Sequence, residues 1–430
     1  MTLPTSDPTA PADPTASTEA VTAVAADRAD ERLIASVGVS GAWSTFRDRL
    51  KSGELGSLPV VVGLIVIWGV FQFLNPAFLS SRNMVNLTLQ SAAVGTIALG
   101  IVLVLLLGEI DLSVGSVSGV SAAIVAVGFV QQGWPLALGI LAAILAGSAI
   151  GLFYGLVFTR WGVPSFVITL AGLLGFLGLQ LWILGDAGSI NLPFESALVE
   201  FATAWFLPDW LSYVVILLAI GAYVAARLAD NRRRVTAGLT PQPSRGVLAR
   251  AAVLGVIGVV SAYVLNQDRG VSVMFLCFIL MVFVVDIMVR RTSWGRSVMA
   301  IGGNVEAARR AGINVKRVYV SVFVACSTLA AVGGLFAAAR LASASQSSGG
   351  ADTNLTAIAA AVIGGTSLFG GRGSAWSAVL GILVIQSITS GLSLLSLDSS
   401  IRYMVTGAVL LLAVTVDSLT RRSRAAHGRA

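Results

Sequence analysis

An all-α, polytopic transmembrane helical bundle is the fold class this sequence predicts, on three observations. Apolar residues make up 56% of the 430 and charged residues only 11%. That is about 240 apolar positions, enough for roughly twelve stretches of the ~20 residues that span a bilayer. The runs are continuously apolar rather than alternating, which excludes a membrane β-barrel. The same composition excludes a soluble globular enzyme and a disordered chain. Two cysteines, Cys277 and Cys326, lie within apolar runs and read as small buried hydrophobes, not as a disulfide scaffold. The single histidine, His427, stands near the end, so no histidine-based metal site or catalytic dyad arises in the body of the chain.

Taken in order, residues 1–40 are rich in Thr, Pro, Ala and Asp, lack hydrophobic periodicity, and predict a disordered cytoplasmic tail. They have neither the basic start nor the apolar core of a signal peptide. Over 41–57, Trp43, Phe46 and Leu50 recur at helical spacing among Arg47, Asp48, Arg49 and Lys51, which predicts an interfacial amphipathic helix. The membrane domain follows over 58–419. Its expected spans are 58–78, 86–107, 112–131, 134–158, 164–185, 211–229, 247–265, 271–289, 317–340, 353–371, 374–396 and 401–419. Segments 108–131 and 163–185 contain breaks and read either as full spans or as broken or re-entrant helices, so the count is ten to twelve. Residues 420–430 form a basic cytoplasmic tail.

Lys and Arg set the orientation of such a chain. With both termini cytoplasmic, 24 of the 28 basic residues fall on inside segments and only Arg82, Arg269, Arg340 and Arg402 outside. The longest outside loop, 186–210, carries Asp186, Glu195, Glu200 and Asp209 and no basic residue. The net charge of +7 therefore has a topological origin, and no clustered basic face for nucleic acid is present. Asp286 with Arg290, Asp398 with Arg402 and Asp417 with Arg421 are spaced to pair on one helix face near span ends.

Two motifs carry chemistry. Residues 106–119 read LLGEIDLSVGSVSG, where Glu109 and Asp111 interrupt a long apolar tract. A charge at a helix centre costs about 2.5–3.5 kcal/mol on insertion scales, so such residues are candidates for function. Asp111 resembles an N-cap for a helix starting near Leu112. The segment reads either as a capped helix start at the interface or as a broken helix lining a pathway. A second break, Gly162-Val163-Pro164-Ser165-Phe166, is followed by Thr169, Gly172, Gly175 and Gly178. Pro164 suits a first helical turn, and the small residues suit close helix packing. Glu109, Asp111, Ser113, Ser165, Phe166, Thr169 and Gln180 are the candidate pathway residues, polar or aromatic groups in apolar surroundings.

The other motif is the most basic loop, 290–317, reading RRTSWGRSVMAIGGNVEAARRAGINVKR. Glu306 through Arg310 favours helix and Gly312 can end it. A short helix held at the membrane surface is a docking element; a loop for anionic lipid is the plainer reading. Glu306-Ala307-Ala308, with Gly312 following, resembles the EAA coupling loop of ABC-transporter permeases. Its setting, GRSVMAIGGNVEAARRAGINVKRV, is similar to that of the ribose/xylose/galactose branch of bacterial sugar permeases. So are GEIDLSVGS at 108–116, VPSFVITLAGLL at 163–174 and IAAAVIGGTSLFGGRGS at 358–374. The resemblance covers about 58–419, and the additional basic segment 227–250 with its apolar run to 265 makes the chain most similar to the xylose permeases of that branch.

The resemblance implies a permease subunit that is not an enzyme and has no ATPase site of its own. Gly302, Gly303 and Asn304 would lead into a coupling helix containing Glu306, Ala307, Ala308 and Gly312. The implied partners are a second permease copy, two ATP-binding cassette subunits or one tandem ATPase, an extracytoplasmic sugar-binding protein and membrane lipids. ATP and magnesium would sit on the partner ATPase, with no cofactor bound by this chain, in the bacterial plasma membrane. The glycine-rich tract Gly364–Gly373 agrees, since it lacks the Lys-Ser/Thr ending of a phosphate-binding loop; its glycines read as turn and packing residues. A branched-chain amino-acid or nucleoside permease of the same superfamily is the nearest alternative. An ion-coupled secondary transporter using Glu109 and Asp111, and a membrane scaffold, are alternatives of other classes.

Overall fold

The computed structural model describes residues 58–237, 244–401, 403–409, 411–412 and 415. The expected tail at 1–40, the interfacial helix at 41–57 and the basic tail at 420–430 lie outside the described residues. Two further expectations, the pairs ending at Arg402 and Arg421, also lie outside them.

The helices are α1 (Leu58–Leu74), α2 (Ser81–Leu106), α3 (Val114–Ala126), α4 (Leu136–Trp161), α5 (Ser165–Leu184), α6 (Ala197–Thr203), α7 (Asp209–Thr236) and α8 (Ser244–Asn266). There follow α9 (Val273–Arg291), α10 (Ser293–Gly303), α11 (Val305–Arg310), α12 (Val315–Leu341), α13 (Ala351–Ile363) and α14 (Trp376–Leu394). Two short strands, β1 (Ser189–Asn191) and β2 (Ser343–Ser345), pair antiparallel with Ile190 opposite Ala344. They tie the end of α5 to the end of α12.

Among the described residues, nine helices are long and apolar enough to cross a membrane: α2, α3 with its π-helical extension to Gln131, α4, α5, α7, α8, α9, α12 and α14. The protein is therefore an all-α, polytopic membrane protein. The sequence predicts twelve spans, and the other three are informative. The helix at α1 has 17 residues. The segment 401–419 is described only in part, with 403–409 helical. The expected span 353–371 is corrected: α13 has 13 residues, about 20 Å at 1.5 Å per residue, well short of a ~30 Å hydrocarbon core. Its helix ends where Gly364 and Gly365 begin a turn closed by Ser367 N–H donating to Arg372 O at 3.0 Å.

The described chain divides into two compact units. The smaller covers residues 216–257. Within it Gly255 lies against Ile220, and Leu217, Leu218, Val253 and Val256 are exposed, apolar surface of the kind a bilayer covers. The larger unit takes the remaining described residues.

At the centre of the larger unit lie α2 and α12. The run from Ile97 to Leu106 in α2 is entirely buried, and so are Cys326, Ala330 and Ala339 of α12. Gly100 meets the backbone of Cys326, while Gly333 meets Ile97 and the carbonyl of Ala93. Rising numbers in one helix thus meet falling numbers in the other, and the pair is antiparallel. Small residues let the backbones approach, as in membrane helix pairs generally. Each of these long helices, of 26 and 27 residues, is followed by a non-helical stretch (107–113 and 342–350) and then by 13 α-helical residues, α3 and α13. An order of long helix, break and shorter helix therefore occurs twice in opposite directions, with α3 running on through its π-helical turn to Gln131 and α13 ending at Ile363. Outside this centre, α14 packs on α13, with Gly381 against the Ala360 carbonyl and Gly364 against Ser377. Trp68 of α1 donates to Ser387 Oγ of α14 at 2.8 Å.

Overpacking a tight crossing costs about 1–3 kcal/mol. Gly381→Ala, whose methyl would overlap the Ala360 carbonyl oxygen, is expected to lower the melting temperature of the detergent-solubilised protein. Gly69→Ala in α1, which meets open space, is expected to leave it unchanged; equal melting temperatures for the two variants would contradict this packing.

Candidate functional site

The polar groups that the sequence singles out converge on the break at 107–113. This stretch leaves α2 at Leu106 and does not become helical again until Val114. It lies inside the apolar bundle. Asp111 is 1% exposed and faces Cys326, eleven residues into α12 and so about 16 Å from that helix's start. The segment interrupts the helical run between α2 and α3, and a helix starts directly after it at Val114, so the break and the helix start occur together.

Asp111 does not cap the helix in the expected way. Its Oδ1 accepts the Ser113 N–H at 2.8 Å and the Ser113 hydroxyl at 2.7 Å. The N-cap position falls to Ser113, which makes no side-chain capping bond. The carboxylate thus folds the turn two residues on, the local pattern typical of Asp. Its Oδ2 accepts from the Cys326 thiol at 3.8 Å, a weak sulfur donor. The Tyr154 hydroxyl of α4 donates to Ser113 Oγ at 2.7 Å. No cation is among these partners. The free N–H groups and the positive dipole end of α3 supply the favourable field for a carboxylate just ahead of it.

Glu109 is partly buried and takes the Ser165 hydroxyl of α5 at 2.5 Å; Tyr319, in the first turns of α12, lies near it. Thr169 donates to Ser165 O at 2.9 Å and lies 3.4 Å from Ile110 O. On the far side, Asn354 of α13 donates its side-chain amide to Leu112 O, and Gly115 lies against Gly349 and Gly350. The N-terminal ends of α3 and α13 therefore meet at this break.

Of the seven candidate pathway residues, Glu109, Asp111, Ser113, Ser165 and Thr169 are brought together. Gln180 is buried elsewhere, donating to Ser345 O and Ser348 O at 2.9 Å each. Phe166 is 53% exposed and takes no part in the cluster. Pro164 sits one position ahead of the first helical residue, as the N-cap of α5. Tyr154, Tyr319, Cys326 and Asn354 complete the cluster without having been singled out. Asn354 stands among the polar residues that open α13, a signal the sequence offers; the two tyrosines and the cysteine read as ordinary apolar-run residues.

The basic loop is built from three successive side-chain caps. Thr292 Oγ1 accepts Gly295 N–H at 3.1 Å, Asn304 Oδ1 accepts Ala307 N–H at 2.9 Å and Asn314 Oδ1 accepts Arg317 N–H at 3.1 Å. These caps start α10, α11 and α12 and satisfy otherwise orphaned donors. The expected short helix over 306–310 is α11, and it ends ahead of Gly312, at φ +81°, the left-handed position where glycine serves. In α11 Ala308 is buried, whereas Glu306, Ala307, Arg309 and Arg310 are exposed. Arg309 and Glu306 pair at 2.6 Å with 61% and 65% of their side chains exposed; such pairs contribute ~0–1 kcal/mol and can exchange for a partner's charges. Arg290 pairs with Asp286 at 2.8 Å as the spacing predicts.

Apolar spanning helices around a buried polar break, with a capped helix presented on a basic loop, belong to a membrane permease. The chain is a member of the family described as branched-chain amino acid transport system / permease component, whose model matches residues 83–414. It is 37% identical over 388 residues to the xylose transport system permease protein XylH of Escherichia coli K12, covering 90% of this chain and 97% of that one. The XylH of Haemophilus influenzae is 34% identical, covering 87% and 99%. The ribose import permease protein RbsC of Bacillus subtilis is 30% identical, covering 85% and 94%. No solved structure matches the chain.

Asp111→Leu strands the Ser113 hydroxyl and amide in the bundle, and bonds to charged groups contribute ~1.5–3 kcal/mol each. The variant is expected to show a markedly lower melting temperature in detergent. Asp111→Asn keeps an acceptor oxygen in place and is expected to lose less than half as much. A leucine variant as stable as the parent would refute the role of Asp111 in closing this turn.

Proposed function

We propose that this chain is the membrane-spanning permease subunit of an ABC importer that moves a monosaccharide, xylose first among the candidates, across the bacterial plasma membrane. The observation that carries this reading is α11. It is short, capped, exposed at Glu306 and Arg309, and coincides with the residues that resemble the coupling motif. Both named relatives' sugars are pentoses, and the similarity to xylose permeases, exceeding that to a ribose permease, favours xylose. In this reading the chain carries no ATPase site, and ATP and magnesium are held by two ATPase subunits or one tandem ATPase. A second permease copy and an extracytoplasmic sugar-binding protein complete the complex. In this reading both termini are cytoplasmic, which puts α11 on the ATPase side, and the domain limits above belong to this same topology.

ATP-driven closure of the ATPases would displace α11. The helices around the break would then tilt, opening the pathway alternately to the two sides. A neutral, polar sugar needs hydrogen-bonding groups along its way rather than a charged pocket. Glu109, Ser165 and Thr169 supply them, Gln180 is a further such group, and the Phe166 ring offers an apolar face to the sugar's C–H surface. Asp111 and Ser113 have their oxygens committed to the turn and act by holding it.

The family description names branched-chain amino acids, so the substrate class is the first point to test. Proteoliposomes containing the permease, its ATPase and its binding protein are expected to take up labelled xylose in an ATP-dependent manner, and leucine or nucleosides not at all. Uptake that persists without ATP and stops with an uncoupler would replace this reading with an ion-coupled transporter. Glu306→Ala is expected to abolish uptake while membrane insertion stays intact; unchanged sugar-stimulated ATP hydrolysis in that variant would overturn the docking role of α11.

A further inference from the structure

Three glycine-bearing turns cross at one point on the α11 side of the larger unit. Gly371 N–H donates to Leu106 O at 2.9 Å. A Cβ on Gly302 would overlap that same carbonyl and stand 2.5 Å from Gly371 N. One on Gly370 would stand 2.7 Å from Gly302 O and 2.9 Å from Gly108 N, and one on Gly108 would stand 3.3 Å from Phe369 O. Main chain therefore rests on main chain with no side chain between. Gly108 and Gly370, at φ +81° and +83°, also hold a backbone conformation that L side chains rarely adopt.

We propose that Gly302, Gly108 and Gly370–Gly371 are positioning residues for coupling: through their backbone contact, displacement of α11 reaches the buried break at 107–113 and the half-helix α13 together. This inference rests on the permease reading of α11. Three connections carry it. Gly302 is two residues ahead of Asn304, the cap of α11. Gly108 leads directly into Glu109 and Asp111. The loop holding Gly370 and Gly371 joins the end of α13 to the start of α14, and its far end is anchored where Ser374 accepts from Arg290 at 3.0 Å.

These contacts close a ring. From the junction the chain runs through Gly108 to Leu112, whose carbonyl takes the Asn354 amide of α13; α13 then leads through Gly364 back to Gly371. Flexible side chains absorb displacement by changing rotamer, whereas close-packed backbone transmits it. A displacement of α11 that carries the end of α10 with it, at Gly302, therefore moves Leu106 O, Gly371 or both.

The test uses the complete complex in proteoliposomes. Gly302→Ala is expected to lower xylose uptake by about tenfold while ATP hydrolysis stays within about twofold of the parent. Hydrolysis in that variant is also expected to lose its response to sugar-loaded binding protein. Gly69→Ala serves as the control, with both rates unchanged. Uptake and hydrolysis falling in proportion, or neither falling, would overturn the junction. A parent complex without ATP-dependent uptake would instead overturn the permease reading, and the junction with it. A second measurement needs no variant: hydrogen exchange on the parent complex with and without a non-hydrolysed ATP analogue. Peptides covering 105–111 and 367–373 are expected to change protection together with 300–312. A change confined to 300–312 would defeat the proposal even if Gly302→Ala fails to fold.

Discussion

Backbone amides and carbonyls in a bilayer have no water to turn to, so a spanning chain is helical or pays several kcal/mol for each group left unsatisfied. This protein breaks that rule at 107–113, and much of its larger unit is arranged to compensate. The freed groups are taken up one by one. Asp111 accepts the Ser113 amide, Asn354 donates to Leu112 O and Gly371 donates to Leu106 O. Four different helices contribute partners: α4 through Tyr154, α5 through Ser165, α12 through Cys326, and α13 through Asn354. The break is thus a hub by necessity. Irregular backbone at membrane depth is tolerated only where protein surrounds it or a cavity needs it.

The same constraint explains why small residues crowd this region. Polar side chains such as Ser113 and Asn354 are short, and they reach their partners only if the helices come close. Gly115, Gly119 and Gly334 remove the Cβ atoms that would keep α3 away from the 348–350 backbone, from Gln180 and from its own contact with α12. Packing and hydrogen bonding are therefore not separate contributions here. A methyl added at one of these positions separates donors from acceptors as well as overfilling space.

Much of this was legible in the sequence, for reasons that differ by element. Continuous apolar runs locate helices because burial in lipid requires nothing else of them, and α2, α4, α9 and α12 fall within a few residues of the expected limits. Glu109 and Asp111 stand out because charge is rare in such runs. The helix at 305–310 and its stop at Gly312 follow from local propensity and capping. The half-length of α13 was hidden, since its apolar pattern continues through Ile363 into a glycine-rich turn that is itself only weakly polar. Gln180 and Phe166 illustrate the opposite error. Polarity marks that a residue needs a partner but not which one, and Gln180 finds its partners in the β2 turn. Tyr154, Tyr319 and Cys326 could not be singled out, because an aromatic or a thiol in a helix is ordinary until a carboxylate is placed beside it. The glycine junction was invisible for a further reason: its three parts are about 195 and 70 residues apart in sequence, and tertiary contact alone brings them together.

The repeated order of long helix, break and shorter helix bears on how such a bundle moves. The long helices α2 and α12 are buried along most of their length and locked to each other by backbone contact, so relative sliding would disturb many contacts at once. The shorter helices are different. Each is joined to its long helix by a non-helical stretch containing turns and meets the other at its N-terminal end. Non-helical segments absorb changes in φ and ψ that helices cannot, which is the usual property of a hinge. A stretch that gives up helical hydrogen bonds is consequently also one whose backbone angles can change. The carboxylate of Asp111 satisfies the Ser113 amide from within the segment itself, whereas the carbonyls at its two ends depend on Gly371 and Asn354 outside it: a shift of 107–113 keeps its groups satisfied only if the 367–373 loop and α13 move with it.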